Sequence, residues 1–212
     1  MSSPQQIDLD GILRVVRERG GPVRTLTAIA GAPGSGKSTL AEAVVAKLNE
    51  ETPDSAAVLP MDGYHFDDLV LVPRGLRPRK GAPDTFDVAG FHHMLQRLKR
   101  NEEPEIAVPV FDRDLEIARA GARLIPRSVR RLIVEGNYLL LDRPGWSSLR
   151  GLFDTTIMIA VPEPILRQRL IARWQGYQLP PDEVTAKVET NDLPNGRLIM
   201  SASAPAEFVF SP

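Results

Sequence analysis

Cysteine is missing from all 212 residues, so neither disulfides nor thiolate-bound metals hold this fold, and the chain suits a reducing compartment. Histidine is scarce, at three residues, and with no ligand-like spacing among them a zinc site is rejected. Net charge is nearly absent as well: 26 Lys and Arg oppose 27 Asp and Glu, leaving −1. Without a field of one sign, nothing draws the whole chain to nucleic acid or to an anionic membrane, and any anion site must be local. No apolar run approaches the roughly 20 residues that cross a bilayer. The start, Met1-Ser2-Ser3-Pro4-Gln5-Gln6-Ile7-Asp8, has neither a basic segment nor an apolar one, so a secretory signal is not expected and a cytoplasmic protein is. A chain of this length fits one domain, with a helix over about 5–20 leading into a core over about 24–212.

What is present is a succession of short apolar runs separated by helical patterns. Residues 25–30, 56–60, 131–135 and 155–161 read as buried strands, and 206–210 can add a terminal one. Residues 105–111 are a further candidate, but Pro109 cannot donate to a ladder and points to an edge or irregular position. Leu40, Val44 and Leu48 recur at helical spacing, as do Phe91, Leu95 and Leu98, and Pro162 and Pro164 open a helix through about Trp174. Pro180-Pro181 starts another. Apolar strands alternating with helices call for a doubly wound α/β fold, a mostly parallel sheet covered on both faces.

Between the first of these strands and its helix lies Gly31-Ala32-Pro33-Gly34-Ser35-Gly36-Lys37-Ser38, a full match to G-x-x-x-x-G-K-S, followed by Thr39. Glycines let successive N–H groups turn inward around phosphate oxygens, Lys37 reaches the β and γ phosphates, and the Ser38 hydroxyl serves Mg²⁺. ATP and Mg²⁺ are therefore the expected cofactors. In open α/β sheets ligands sit beyond the carboxyl ends of the strands, where Asp62 and Glu135 fall. Asp62 is a candidate base for a hydroxyl attacking the γ-phosphate, or a turn-capping Asp before Gly63. Glu135 is a candidate Mg²⁺ or acceptor contact, or a plain strand end. His65 is either an acceptor contact or structural. Arg74, Arg77, Arg79 and Lys80 crowd into a Pro- and Gly-broken basic stretch at 73–83 that can close over an anion or simply be solvated. Arg169 and Arg173 lie four apart on the helix after Pro164, with Arg167 nearby. There they either neutralise a migrating phosphoryl group or line an exposed face.

Taken together these residues resemble the P-loop kinases that include uridine kinase, bacterial pantothenate kinase and phosphoribulokinase. The likeness spans about residues 25–210 and rests on the loop at 31–39, Asp62-Gly63-Tyr64-His65, Lys80-Gly81-Ala82-Pro83-Asp84-Thr85-Phe86-Asp87, Pro109-Val110-Phe111-Asp112-Arg113 and Val134-Glu135-Gly136-Asn137-Tyr138. It looks most like the small bacterial proteins called nucleoside or nucleotide kinase-like, or fructose-transport-system kinases, through 135–141 and Asn191-Asp192-Leu193-Pro194-Asn195. The resemblance implies a P-loop nucleoside triphosphate hydrolase fold with a lid region, Asp62 as base, and Arg167, Arg169 and Arg173 as lid arginines. It also implies an acceptor site among His65, Arg79, Lys80, Phe86, Asp87, Arg113, Glu135 and Asn137. Uridine kinases of that group carry a histidine for the pyrimidine, and none falls on 109–113, where Asp112 and Arg113 stand instead.

The expected activity is transfer of the γ-phosphate of ATP to a hydroxyl of a small metabolite, a sugar or sugar-like compound. A nucleoside or pantothenate-type kinase is the alternative within the group. From other classes, an ATP-binding regulator and a transporter-coupled ATPase remain open. The expected partner is the small-molecule acceptor, with no nucleic acid and no membrane, and a homodimer is left open.

Overall fold

The computed structural model describes residues 4–212, so the first three residues of the stretch judged not to be a secretory signal lie outside it. In chain order the elements are β1 (Gln5–Gln6), α1 (Leu9–Glu18), β2 (Thr25–Gly31), α2 (Lys37–Glu51), β3 (Ala56–Pro60), α3 (Asp68–Leu71) and α4 (Val88–Arg100). They continue with β4 (Glu105–Asp112), β5 (Ile117–Pro126), β6 (Arg131–Gly136), β7 (Thr155–Ile159), α5 (Glu163–Gly176), α6 (Pro181–Lys187), α7 (Leu193–Ala202) and β8 (Phe208–Phe210). Single-turn 3₁₀ segments at Met61–Tyr64, Arg77–Arg79 and Pro83–Thr85 fall between β3 and α4, and a π-helical turn at Val188–Asp192 joins α6 to α7.

Six strands form one sheet in the order β1-β8-β7-β2-β6-β3, every pairing parallel. The central strand β2 shows why both faces must be covered. Leu26, Ala28 and Ala30 point one way with Leu132 and Val134 of β6, packed under Phe91, Leu95 and Leu98 of α4 and Ile199 of α7. Ile29, Ile133 and Ile157 point the other way, onto Ile12, Leu13 and Val16 of α1 and Leu40, Val44 and Leu48 of α2. Alternate residues of a strand face opposite sides, so a strand buried at every position, as β2 is, sits between two helical layers. A third apolar cluster, Ala32 with Leu166, Leu170, Val184, Val188 and Leu193, seats the α5–α6–α7 segment on the phosphate loop.

Two elements depart from expectation. The N-terminal helix occupies Leu9–Glu18 rather than about 5–20, capped by Asp8 accepting from the Gly11 N–H at 2.8 Å, while Gln5–Gln6 run as an edge strand beside β8. The strand expected at 105–111 is half of an antiparallel hairpin, β4–β5, outside the main sheet. Pro109 sits where its register shifts, between Val108 and Val110. Behind the hairpin Arg24 is 1% exposed and donates to the carbonyls of Val129 (2.7 Å), Pro126 (2.7 Å) and Leu98 (3.1 Å). Burial pushes its pKa down to about 10, so it stays charged and clamps the end of α4 to the chain leaving β5.

Candidate active site

The turn between β2 and α2 is built for an anion. Gly34 (φ 77) and Gly36 (φ 92) take left-handed backbone conformations that side chains disfavour, and Gly36 caps α2 without any side-chain bond to its first N–H groups. A helix whose opening amides are left free in this way presents a positive end to phosphate. Lys37 is half-buried, and among the described residues no carboxylate lies within ion-pair distance of it. Burial lowers its pKa against the opposing pull of Glu135 and Asp62. The buried Ser35 hydroxyl oxygen also has no partner within the protein. An uncapped helix start, a half-buried lysine without an ion pair and an orphaned hydroxyl are what the phosphates of ATP would satisfy.

Strand register delivers the two carboxylates. Glu135 pairs with both Ile29 and Pro60, which places it two residues from the start of the phosphate loop on one side and two residues before Asp62 on the other. Glu135 is 5% exposed. Burial raises its carboxyl above the usual range, and Lys37 and the Ser38 hydroxyl pull the other way without cancelling it. Ser38 and Glu135 are hard oxygen donors side by side, the chemistry Mg²⁺ takes.

Asp62 sits in the 3₁₀ turn that follows β3, its side chain 21% exposed, and Arg113 donates to its Oδ2 at 2.6 Å. Burial works to raise the Asp62 carboxyl, but His65, Arg113 and Lys37 outweigh it and hold the group below the ordinary carboxylate range. His65 has its own pKa lowered by burial, against the attraction of Asp62, so Arg113 and Lys37 carry the positive charge there at neutral pH. The His65 ring stacks between Phe86 (centroids 4.0 Å apart) and Phe111 (4.7 Å), with its Nδ1 2.8 Å from the Asp62 carbonyl oxygen.

These groups open on a cavity of about 330 Å³ lined by Lys37, Asp62, His65, Arg113, Asn137 and Arg173, among others. The Asn137 side-chain oxygen is buried there without a protein partner. The three arginines of α5 separate in role. Arg167 pairs with Glu163 and Glu189, Arg169 lies 3.4 Å from the carbonyl oxygens of Gly34 and Ser35, and Arg173 faces the cavity. Sharing one helix face did not bring Arg169 and Arg173 to one place.

Some expected acceptor contacts stand elsewhere. Arg79 is exposed and away from the cavity, and Arg77 lines it instead. Phe86 is 4% exposed and packed in an aromatic core with Tyr138 and Trp146, behind His65. Asp87 caps α4, accepting from the Gly90 N–H at 2.9 Å. Lys80 lines the cavity, but its ammonium is taken by Asp68 (2.8 Å) and the Glu116 carbonyl. Sequence reasoning missed Glu116 altogether, placed Arg77 in the basic stretch without singling it out, and named Asn191, Asp192 and Asn195 without giving them a role.

No family model matches the chain. A crystal structure of a "putative fructose transport system kinase" from Silicibacter sp. TM1040 superposes with a TM-score of 0.89 at 43% identity, covering 97% of this chain and all of that one (100%). "Uncharacterized protein YggC" of Escherichia coli (strain K12) is 35% identical over 188 residues, 88% of this chain and 77% of its own length. "Putative uridine kinase C227.14" of Schizosaccharomyces pombe is 32% identical over 179 residues, 81% of this chain and 76% of its own.

Proposed function

Because the chain belongs to the P-loop kinases, ATP-using phosphotransferases related to uridine kinase, we propose that it transfers the γ-phosphate of ATP to a hydroxyl of a small, sugar-like metabolite. The observation that carries this reading is an ionised carboxylate, Asp62, opening on the same small cavity as Lys37. Bound Mg²⁺–ATP supplies the phosphoryl group and neutralises part of its charge. Lys37 and the amides at the start of α2 would hold the phosphates, and Ser38 and Glu135 would hold the metal. Asp62 takes the proton of the acceptor hydroxyl as that oxygen bonds to the γ-phosphorus and the bond to the β–γ bridging oxygen breaks, releasing ADP. Arg113 orients the Asp62 carboxylate and gives way to the acceptor. Arg173 meets the charge that spreads over the phosphoryl oxygens in transfer.

A cavity near 330 Å³ is at the lower end for ligand sites, and its charged and amide side chains suit a polyhydroxylated compound over an apolar one. The missing histidine at 109–113 speaks against a pyrimidine nucleoside. The test is ADP release by the purified protein with ATP and Mg²⁺ against sugars and sugar alcohols, with nucleosides and pantothenate as controls. One polyhydroxylated compound is expected to raise the rate at least about tenfold and to yield a phosphorylated product by mass spectrometry, since closure over the acceptor must keep water out. ATP hydrolysis that stays constant across the panel with no such product would favour a regulator or a transporter-coupled ATPase.

A further inference from the structure

The segment Asn191–Asn195 has no part in the chemistry just described, yet with the adjoining Gly196 it touches α5, the rim at Lys80 and the phosphate loop. The π turn at Val188–Asp192 closes with the Leu193 N–H on the Val188 carbonyl and turns Asn191 and Asp192 into the cavity. Such turns interrupt helical packing and recur where a side chain is aimed at a functional site.

Two hydrogen bonds tie the segment to other parts of the chain, and a third reinforces it from within. The Asn191 side-chain amide donates to the Lys80 carbonyl at 3.0 Å. Asn195, 2% exposed, donates from its own amide to Asn191 Oδ1 at 3.2 Å, so both ends of the Asn191 side chain are used. Trp174 of α5 donates to Asp192 at 2.7 Å. One residue further on, Gly196 lies so close to the phosphate loop that an added Cβ would stand 3.3 Å from the Ala32 Cβ.

Lys80 is itself a junction. Its side chain is 6% exposed and its ammonium joins Asp68 of α3 to the Glu116 carbonyl in the β4–β5 turn, and the next carbonyl, that of Gly81, accepts from the Tyr138 hydroxyl at 2.7 Å. The acceptor-side rim is thus one connected body, and its link to the π turn is the bond from Asn191 to Lys80.

We propose that Asn191 is a positioning residue that latches the lid, α5 and α6 with the π turn that follows them, onto the rim at Lys80 and thereby keeps water from the phosphoryl group until the acceptor is bound. The inference rests on the kinase reading above. Both polar atoms of the latch side chain are taken within the protein, by the Lys80 carbonyl and the Asn195 amide. Its effect runs through the closed geometry, and one neutral hydrogen bond shifts a closed–open balance by roughly 2- to 12-fold.

The experiment uses the full chain with Asn191→Ala and with Asn191→Asp, which keeps the oxygen for Asn195 but loses the donor to Lys80. ADP release is measured with ATP and Mg²⁺ alone, and then with the acceptor found in the panel, together with the ratio of phosphorylated product to ADP. Both variants are expected to release ADP without acceptor roughly 2- to 12-fold faster, to lose coupling of product to ADP, and to show a raised acceptor KM with the KM for ATP unchanged. Variants that match the wild type in acceptor-free ADP release and in coupling, while the wild type remains acceptor-dependent, overturn the latch alone. A wild type indifferent to every acceptor overturns the kinase reading and the latch with it.

Discussion

Asp62→Asn separates chemistry from binding more cleanly than any other single change. The amide keeps the volume of the carboxylate and an oxygen for Arg113, which now donates to Oδ2 at 2.6 Å, so the turn at Met61–Tyr64 has no reason to move. What disappears is the proton acceptor. A positioned base is worth about 10²- to 10⁴-fold, or about 2.7–5.5 kcal/mol of barrier at 1.36 kcal/mol per tenfold. The carboxylate also lies within electrostatic reach of Lys37, and removing its charge leaves that ammonium freer to attract phosphate. Acceptor phosphorylation should therefore fall at least about a hundredfold while ATP affinity holds or tightens. Steady-state rates on the acceptor, with ATP affinity from calorimetry, read both quantities. In the wild type, Asp62 is held below its unfolded pKa of about 3.9, so it is ionised across the working range and its stabilising contribution is lost only as pH falls through the folded value. An unchanged kcat, or a parallel loss of ATP affinity, would remove Asp62 from the role of base.

Arg173→Ala should lower kcat more than it raises the KM for ATP, by about 10²-fold, whereas Arg169→Ala, out of the cavity, should cost less; equal effects would undo the division of roles on α5. Glu135→Gln should raise the Tm of the nucleotide-free protein at neutral pH and weaken its dependence on Mg²⁺. The sign follows from a folded pKa above the unfolded value of about 4.3: stability is fully present below that value and is lost as pH rises through the folded pKa, a loss the neutral amide does not share. A Tm that falls in the Gln variant at pH 7 contradicts this. Gly34→Ala should cost about 1–2 kcal/mol of backbone strain, some 2–8 °C in Tm, and also press on Leu170, whose Cγ lies 3.2 Å from the added Cβ; a melting curve that does not move would refute it.

The parts of the site legible in sequence are those fixed by local chemistry. The glycines and lysine of the phosphate loop, and carboxylates at strand ends, follow from what one strand–turn–helix unit needs. Asp87 had a readable alternative, since an Asp directly before a helix is a cap before it is anything else. The hairpin partner at Ile117–Pro126 was missed because its residues are mostly exposed on both faces, leaving no alternation to detect. Helix α7 was missed because Pro194 and Gly196 interrupt its apolar spacing, and the glycine is there for contact with Ala32. That Arg77 faces the cavity and Arg79 does not depends on how a 3₁₀ turn is oriented by Asp68, a contact nine residues away that no local pattern carries.

The pairing of β1 with β8 makes the two ends of the described chain neighbours at one edge of the sheet, running in the same direction. A short linker could join them and the chain could be reopened at the exposed turn around Pro53 and Asp54, which lies between α2 and β3 at the far end of the sheet from the phosphate loop. Such a circular permutant would keep all six strands in their order. Asp62 would then stand near the beginning of the sequence and Lys37 near its end, meeting only because β6 holds β3 beside β2.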